Sequence, residues 1–565
     1  QAIVSGLLWF LALSVSTENM AQRIPADPQD SLLLVQFQQE IQSHNWPQIW
    51  NFSTPVEEWI GVRLESGSGK VKTLNFRGDQ INFQTDSLPS CIQTLHALDK
   101  LEELSFVALG LKHVPQEIGG FSQLTSLVLN YNQLEGIPEE INQLTELRFL
   151  AVGSNQLVIS PDVHNLKKLE QYSLTANSNM NTLHSSTFEL TSLKRLDIGF
   201  CGFIQLPADI SRLTNLTELM VGSNQSLASL PSTIGQITSL ATLELSHCAL
   251  TELPSVVGDL RNLRDLSISH NRLTNLPTNL ENLANLLQIN FSGNQLIAFP
   301  SVLVAMSRLR FIDGKNNQMQ GSIPEQIFLK RGLRLDVEDN WLSGELLVKS
   351  WRVPERLFVS RNRFTFKDMH KMFGLFEPDH PNRPTFFEFH PQKRIGTART
   401  FKPKAGDHFT LFIDNYTPLT GCEFAWYRKA NQNSFSGTGV SNQQELVIPS
   451  VDPTQHSGIY YCEVTHPNFP SIKLRSNEIR VISLDQPPSL TVRNQTFRQG
   501  NVLGLDFSYR DDFTPSDELK LSVSTETTHL KISFDTQSRR YGVTPKDDQW
   551  LGTDSVTISV TDEAN

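Results

Sequence analysis

The sequence lacks the features that would place it on nucleic acid or across a membrane. Its 565 residues carry a net charge of −11, and no run of lysine and arginine reaches five residues. Binding to nucleic acid and to anionic lipid both depend on clustered positive charge. The apolar run from Ile3 to Val15 is shorter than the roughly 20 residues that a membrane helix needs. We therefore expect no nucleic-acid partner and no transmembrane segment in this chain.

Cysteine and catalytic motifs are also scarce. Five cysteines in a chain of this length are too few for a disulfide scaffold. The spacings H-E-x-x-H, C-x-x-C and G-x-S-x-G and the Walker loop are all absent, and the fourteen histidines show no metal-ligand spacing. We therefore predict a protein that is not an enzyme and that has no catalytic residue, no cofactor and no metal site.

The chain is rich instead in one repeated pattern, L-x-x-L-x-L-x-x-N-x-L, often followed by Leu-Pro. It is clearest at Leu124, Leu127, Leu129, Asn132 and Leu134, and it returns every 22 to 24 residues. The two-residue step between leucines is that of a β-strand. The pattern resembles that of leucine-rich-repeat proteins. The resemblance implies an α/β leucine-rich-repeat solenoid, a parallel-sheet horseshoe of about 13 coils, over residues 71–375. The coils start at Val71, Leu101, Leu124, Leu147, Leu169, Leu193, Leu216, Leu240, Leu263, Leu286, Leu309, Gly332 and Pro354.

The ninth position of the repeat needs a side chain that bonds backbone groups inside the turn, and Asn supplies one acceptor and two donors. Nine of the thirteen residues in this column are Asn, so we predict a buried structural ladder. The column also contains Asp79, Leu109 and two cysteines, and cysteine is tolerated there. The predicted ladder is Asn132, Asn155, Asn177, Cys201, Asn224, Cys248, Asn271, Asn294, Asn317, Asn340 and Asn362.

Two segments precede the solenoid. Residues 1–22 have the apolar run and small residues of a secretory signal peptide whose start is missing, and a buried N-terminal helix is the alternative. Residues 23–70 resemble the helical, tryptophan-rich cap of extracellular leucine-rich-repeat proteins. In this reading Asp30 and Ser31 open an amphipathic helix. The paired cysteines of that cap are missing, so we expect apolar packing to seal the first coil, with contributions from Trp46, Trp50 and Trp59.

After a junction at 376–388, residues 389–484 resemble an immunoglobulin-like domain. Trp426 stands where the core tryptophan belongs, and Tyr460 and Cys462 match the tyrosine corner and the second cysteine. Cys422 lies about 13 Å along the sheet from Cys462 in this register. A disulfide needs Cα atoms within about 7 Å, so we expect no bond between these two cysteines.

Residues 485–565 resemble the cadherin-like β-sandwich modules of bacterial surface proteins, whose last strand reads W-x-G-x-x-x-V-x-I-x-V-x-D. The resemblance implies a second all-β sandwich domain with further modules to follow. Cadherins bind calcium between modules, and Asp485, Asp562 and Glu563 lie near such junctions. Three carboxylates fall short of the six to eight oxygen ligands that calcium takes, so calcium is an alternative that we do not expect.

The order of these parts resembles secreted repeat proteins of Bacteroidetes-type bacteria. It implies a secreted or cell-surface recognition and adhesion protein that binds a protein or a glycan on the concave face of the solenoid. The alternative is the non-catalytic binding arm of a larger receptor or secreted enzyme whose active domain lies beyond residue 565.

A central concave patch is the candidate binding site. Exposed aromatic, methionine and arginine side chains on a rigid sheet are the usual anchors of recognition. His247 and His270 occupy the same place in adjacent coils, about 5 Å apart; they form either a metal site or two solvated side chains. The carboxylates form either a solvated acidic stripe or a glycosidase pair. The central concave patch consists of Tyr131, Phe149, Arg195, Asp197, Phe200, Glu218, Met220, Glu244, His247, Asp265 and His270.

Overall fold

The structure is a computed structural model that describes residues 25–346, 354–371, 386–404, 406–429, 437–469 and 472–482, and seven short strand segments between 489 and 561. The chain divides into two compact units. The first contains Gln1–Phe364 and Lys371–Phe389, and the second contains Thr365–His370 and His390–Asn565. The predicted signal peptide and the three carboxylates considered for calcium lie outside the described residues.

The first unit is built on one 15-stranded sheet, in which β1 pairs antiparallel with β2 and every later neighbour is parallel. This sheet confirms the predicted leucine-rich-repeat solenoid. The strands of the sheet are β1 (Val62–Leu64), β2 (Val71–Arg77), β3 (Glu103–Val107), β4 (Ser126–Val128), β5 (Phe149–Ala151), β6 (Gln171–Ser173), β7 (Arg195–Asp197), β8 (Glu218–Met220), β9 (Thr242–Glu244), β10 (Asp265–Ser267), β11 (Gln288–Asn290), β12 (Phe311–Asp313), β14 (Arg334–Asp336), β16 (Arg356–Phe358) and β17 (Phe386–Glu388). A separate two-stranded ladder pairs β13 (Gln320–Gly321) with β15 (Trp341–Leu342).

Most strands of the solenoid hold three residues. The central residue, usually Leu, is buried, and the same residue of the next coil lies beside it, as Leu127 beside Leu150. The opposite side of most coils is a short 3-10 helix that follows a proline, because proline fixes φ near −65° and needs no hydrogen-bond partner for its nitrogen. The 3-10 helices are Val56–Glu58, Ser90–Ala97, Gln116–Gly120, Glu139–Gln143, Ser185–Glu189, Ala208–Arg212, Ser232–Gln236, Ser255–Asp259, Thr278–Asn282, Ser301–Val304 and Glu325–Leu329.

The N-terminal cap differs in detail from the sequence expectation. Helix α1 spans Pro28–Gln42 and begins earlier than predicted, because the Asp27 side chain caps it. Asp30 has another role: it is buried, and its carboxylate accepts a hydrogen bond from the Val71 nitrogen at 2.7 Å. Trp50 stacks on Trp59 with ring centroids 5.2 Å apart. Trp50 and Phe37 also pack against Phe76 of β2, with ring centroids 5.9 and 5.8 Å apart, so aromatic side chains cover the first coil.

The solenoid sheet also extends further than the sequence indicated. Strand β17 pairs in parallel register with β16 and lies in the segment that we had assigned to the junction. The parallel part of the sheet thus has one strand more than the thirteen coils counted in the sequence. At the other end, Asp79 is not part of the ladder, because it lies exposed in the short helix α2 (Gly78–Ile81) and pairs with Arg77.

The asparagine column forms a continuous hydrogen-bonded ladder. Asn271 is representative: its Oδ1 accepts from the Leu250 nitrogen at 3.0 Å, and its Nδ2 donates to the oxygens of Leu245 and Ile268 at 2.8 and 3.1 Å. Each such side chain therefore satisfies backbone groups of its own coil and of the coil before it. The nine ladder asparagines are all at most 8% exposed.

The two cysteines in this column follow from coil length. The coils that start at Leu169 and Leu216 hold 24 residues, one more than most others. The extra residue lets the nitrogens of Met180 and Leu227 bond carbonyls of their own coil, 2.9 and 3.0 Å away. The next coil then needs no acceptor at the ladder position. Cys201 and Cys248 occupy these two positions, and their thiols donate to backbone oxygens 3.4–3.8 Å away.

The described part of the second unit contains two short helices, α3 (Phe366–Met369) and α4 (Pro453–His456), and small sheets of β-strands. Trp426 lies opposite Cys462, both are fully buried, and the Tyr460 hydroxyl donates to the His456 oxygen at 2.8 Å. All five cysteines of the chain are free thiols. Its strands are β18 (Arg399–Phe401), β19 (Phe409–Leu411), β20 (Glu423–Lys429), β21 (Gly437–Ser441), β22 (Leu446–Ile448), β23 (Gly458–Thr465), β24 (Leu474–Arg475), β25 (Ile479–Val481), β26 (Ser489–Val492), β27 (Leu503–Leu505), β28 (Phe507–Arg510), β29 (Lys520–Ser524), β30 (Leu530–Asp535), β31 (Arg540–Pro545) and β32 (Thr557–Thr561). In the described part of the chain, no helix is both long and apolar enough to cross a bilayer.

Candidate concave recognition surface

The concave face of the solenoid is made by the two residues that flank each buried strand centre. Because side chains alternate along a strand, these two residues point away from the core. Phe149, Arg195, Glu218 and Asp265 precede the strand centre of their coils, and Met220 follows that of its coil. The strand register aligns these positions from coil to coil, as Arg195 beside Glu218.

Four residues of the central concave patch do not lie on strands. Tyr131, Phe200, His247 and His270 each lie three residues beyond the end of a strand, with φ between 53° and 59°. The sequence-based prediction had placed them on the sheet itself. The whole column has this left-handed backbone, which is uncommon for residues other than glycine. We call it the left-handed column: Ala108, Tyr131, Ser154, Ala176, Phe200, Ser223, His247, His270, Gly293, Asn316, Asp339 and Arg361.

The aromatic and methionine side chains of the central concave patch are distributed over the face. Tyr131 and Phe200 are three coils apart in the left-handed column, about 14 Å at roughly 4.8 Å per coil. Phe149 and Met220 are also three coils apart and occupy opposite flanks of their strands. Tyr131 and Phe200 are 53% and 46% exposed. The patch therefore presents separate aromatic anchors.

Two of the predicted acidic residues also hold the backbone in place. Asp197 Oδ1 accepts from the Gly199 nitrogen at 3.2 Å, and Glu244 Oε1 accepts from the Ser246 nitrogen at 2.9 Å. Burial raises the pKa of Asp197, and the hydrogen bond from Gly199 partly offsets this effect. These carboxylates are consequently fixed in position at the strand ends.

The other acidic residues have side-chain partners. Arg195 pairs with Glu218, and its other guanidinium nitrogen lies 3.7 Å from Asp197. Burial raises the pKa of Asp265, and hydrogen bonds with Gln288 and Thr242 partly offset this effect. Each of the four acids of the patch, which are Asp197, Glu218, Glu244 and Asp265, therefore has a defined local partner.

His247 and His270 form a stacked pair. Their ring centroids are 4.2 Å apart and the planes differ by 10°. Burial, and next the neighbouring His247, lower the pKa of His270. Parallel rings direct their nitrogen lone pairs side by side and not toward a common point. Among the residues that the structure describes, no three His, Cys, Asp or Glu side chains are grouped so that they could hold a metal ion.

A second charged cluster lies toward the C-terminal end of the face. Lys315 Nζ lies 3.5 Å from Asp313 and 3.7 Å from Asp336, which occupy the same flank in adjacent coils. Lys315 was missed in the sequence, because it lies two residues past its strand, where no hydrophobic period marks an outward position. Burial raises the pKa of Asp336 to about 6.

Replacing Asp336 by Asn is expected to stabilise the solenoid at pH 7.5 by about 1–3 kcal/mol. The carboxyl binds its proton more tightly in the folded chain than in the unfolded one, so the stability of the wild type falls as pH rises from about 4 to about 6. Asn keeps the acceptor for the Glu338 nitrogen, now 3.1 Å from Asp336 Oδ1. Asn290 already plays this role for Ser292 in the same column.

The measurement is denaturant unfolding of wild type and Asp336→Asn at pH 4.5 and pH 7.5, with the exposed Glu139→Gln as control. The difference between variant and wild type should grow with pH, while the control should follow the wild type. A variant that is less stable than the wild type at pH 7.5 would show that the charge itself stabilises the fold.

Comparison with known proteins supports the repeat assignment at one place in the chain. The family model described as Leucine Rich Repeat matches residues 262–283, a single repeat of the solenoid. No curated protein matches the chain.

Among solved structures, the chain is similar to a leucine-rich-repeat protein of Leptospira interrogans, with 26% identity, 52% of this chain and 80% of that chain covered, and a TM-score of 0.45. It is also similar to an internalin from Listeria monocytogenes, with 21% identity, 58% and 92% covered, and a TM-score of 0.44. The Arabidopsis receptor kinase HAESA, solved with a peptide hormone and a co-receptor, has 20% identity, 66% and 67% covered, and a TM-score of 0.47.

Proposed function

We propose that this chain is a non-enzymatic recognition protein that binds a protein ligand on the central concave patch. The observation that carries the proposal is the set of exposed aromatic side chains on a regular parallel sheet. Tyr131 and Phe200 are 53% and 46% exposed. Exposing large aromatic groups has a solvation cost that a ligand would remove by covering them.

The polar groups of the patch match the rim of a protein interface. Protein interfaces combine buried aromatic anchors with a surrounding polar rim. Arg195, Glu218, Glu244 and Asp265 supply such a rim between the aromatic anchors and the stacked histidines. Their fixed hydrogen bonds keep the conformational cost of binding low.

We propose further that the protein is exported and acts at the cell surface or outside the cell. The apolar N-terminal run of the sequence supports this proposal, because it has the pattern of a secretory signal peptide. In this account the immunoglobulin-like and cadherin-like segments are spacers that hold the solenoid away from its attachment point. The buried Trp426 and Cys462 and the Tyr460 hydrogen bond support the immunoglobulin-like assignment.

Replacing Phe149 and Phe200 together by Ala is expected to weaken ligand binding by at least about 2 kcal/mol, the usual threshold of a binding hot spot. Neither side chain is buried, so replacing both by Ala should leave the core of the solenoid intact. Isothermal titration of the purified variant with the protein ligand measures the loss.

Glu139→Ala is the control for this variant, because Glu139 is exposed in a 3-10 helix on the convex side. It should leave affinity unchanged. If Glu139→Ala weakens binding and the phenylalanine pair does not, the ligand docks elsewhere and the central concave patch is the wrong site.

A further inference from the structure

A gap in the left-handed column separates Phe200 from His247. Ser223 lies between them, so the backbones that carry the two rings are two coils apart, about 10 Å at roughly 4.8 Å per coil. The next two members of the column show how rings fill such a column, since His247 and His270 stack with centroids 4.2 Å apart. One planar group inserted above Ser223 would extend this stack from His270 to Phe200. We call this space the Ser223 gap.

A carboxylate lines the inner wall of the Ser223 gap. A Cβ atom placed on Gly222, the residue before Ser223, would lie 3.0 Å from Glu244 Oε1, so the Glu244 side chain crosses over the bare Gly222 backbone. The hydrogen bond from the Ser246 nitrogen holds that carboxylate there. A side chain at position 222 would push Glu244 away. Glycine at this position therefore brings negative charge to the edge of the gap.

The charge around the gap is unbalanced. Asp197, Glu218, Glu244 and Asp265 lie on the four coils that start at Leu193, Leu216, Leu240 and Leu263. Arg195 is the one arginine or lysine among the strand-flank and left-handed-column residues of these coils, and it is already paired with Glu218. A cationic ligand group would complement this surface, whereas an anionic one would be repelled.

The same solenoid already shows how it holds a guanidinium. Arg334 lies over the Phe311 ring at 5.4 Å, and its Nε donates to Glu355 at 3.0 Å. Arg363 lies over Trp341 at 4.5 Å. An aromatic face combined with a carboxylate is the environment that arginine prefers, because its planar cation can stack and donate hydrogen bonds at once. The Ser223 gap offers both groups.

We propose that the Ser223 gap binds a planar cation, an arginine side chain of the protein ligand, between Phe200 and His247 and against Glu244. This inference rests on the proposed function and deepens it by naming the ligand group. A lysine side chain could pair with the Glu244 carboxylate but could not stack between the two rings. A neutral planar group could stack between the rings but could not pair with the carboxylate. Arginine is therefore expected to be preferred over both.

The test uses small probes with the whole chain. Saturation-transfer NMR titrations are recorded with N-acetyl-arginine amide, with its neutral isostere N-acetyl-citrulline amide and with N-acetyl-lysine amide. The arginine probe should bind at least about fivefold more tightly than citrulline, which corresponds to about 1 kcal/mol. Glu244→Gln, which keeps the acceptor for Ser246, should abolish most of this preference.

Ser223→Leu should fill the gap and remove arginine binding. Its matched control is Ser154→Leu, because Ser154 is also a serine of the left-handed column, with φ of 53° against 64° for Ser223. The control should suffer the same backbone strain and keep arginine binding, and thermal unfolding checks that both variants are folded.

Equal binding of arginine and citrulline, or equal loss in the two serine variants, would overturn the inference. If the arginine probe fails while Phe149→Ala with Phe200→Ala still weakens the protein ligand, the gap assignment falls and the proposed function stands. If both fail, the concave patch is not the binding site.

Discussion

Leu266→Ala and Ile268→Ala are each expected to lower the free energy of unfolding of the solenoid by about 2–5 kcal/mol. Leu266 is the buried centre of strand β10, and Ile268 follows that strand in the core; they are 2% and 0% exposed. Each truncation removes apolar contacts and leaves a cavity between close-packed coils, which cannot collapse because hydrogen bonds to both neighbouring coils fix their spacing. Chemical denaturation followed by circular dichroism measures the loss.

Leu287→Ala is the matched control, since it is the same chemical change in the next coil on a side chain that is 37% exposed. Its effect should stay below that of either core variant. Neutral behaviour of both Leu266→Ala and Ile268→Ala would mean that the repeat register is wrong.

Cys248→Asn is expected to destabilise the solenoid by about 1–3 kcal/mol, although Asn is the usual residue of the ladder. The Leu227 nitrogen, which an Asn at 248 would otherwise accept from, already bonds the Asn224 oxygen at 3.0 Å. The new Oδ1 would therefore be buried without a donor. Asn271→Ala should cost a similar amount for the opposite reason, because the Leu250 nitrogen would lose its acceptor.

Cys248→Ala is the control for Cys248→Asn, because it removes the thiol without adding a polar group. It introduces no unsatisfied polar group, so denaturation should show it to be more stable than Cys248→Asn. A Cys248→Asn variant as stable as the wild type would contradict the proposed relation between coil length and ladder residue.

The architecture of the solenoid could be predicted from the sequence because it follows from a short period. The leucine spacing determines which residue of each coil is buried, and Leu127 and Leu266 occupy the strand centres that the pattern indicates. The same spacing determines which backbone groups the side chains of the asparagine column can reach. The strand at residues 386–388 was missed because it carries no leucine repeat, although its backbone pairs in parallel with β16.

The candidate site was harder to predict, since its details depend on backbone conformation. Nothing in the residue types of Tyr131, Phe200 and His247 signals a left-handed backbone, which the fold imposes on the whole column. The hydrogen bonds that the Asp197 and Glu244 carboxylates accept from backbone nitrogens could not be predicted for the same reason. Ser223 carried the missing signal, because a small side chain between the rings of Phe200 and His247 in this column marks a space.

Burial of the Asp336 carboxylate is expected to lower the stability of the solenoid at neutral pH. Asp336 remains an aspartate where Asn290 shows that a neutral side chain can make the same backbone hydrogen bond. Natural proteins keep such destabilising groups where activity requires them.

Site-specific photo-crosslinking tests the concave binding surface most directly. A benzophenone amino acid is placed at Phe200 in one variant and at Glu139 in another, and each is irradiated with the protein ligand purified on the wild-type chain. The account predicts a covalent adduct from Phe200 and none above background from Glu139. An adduct from Glu139 alone, or equal adducts from both positions, would contradict recognition by the concave face.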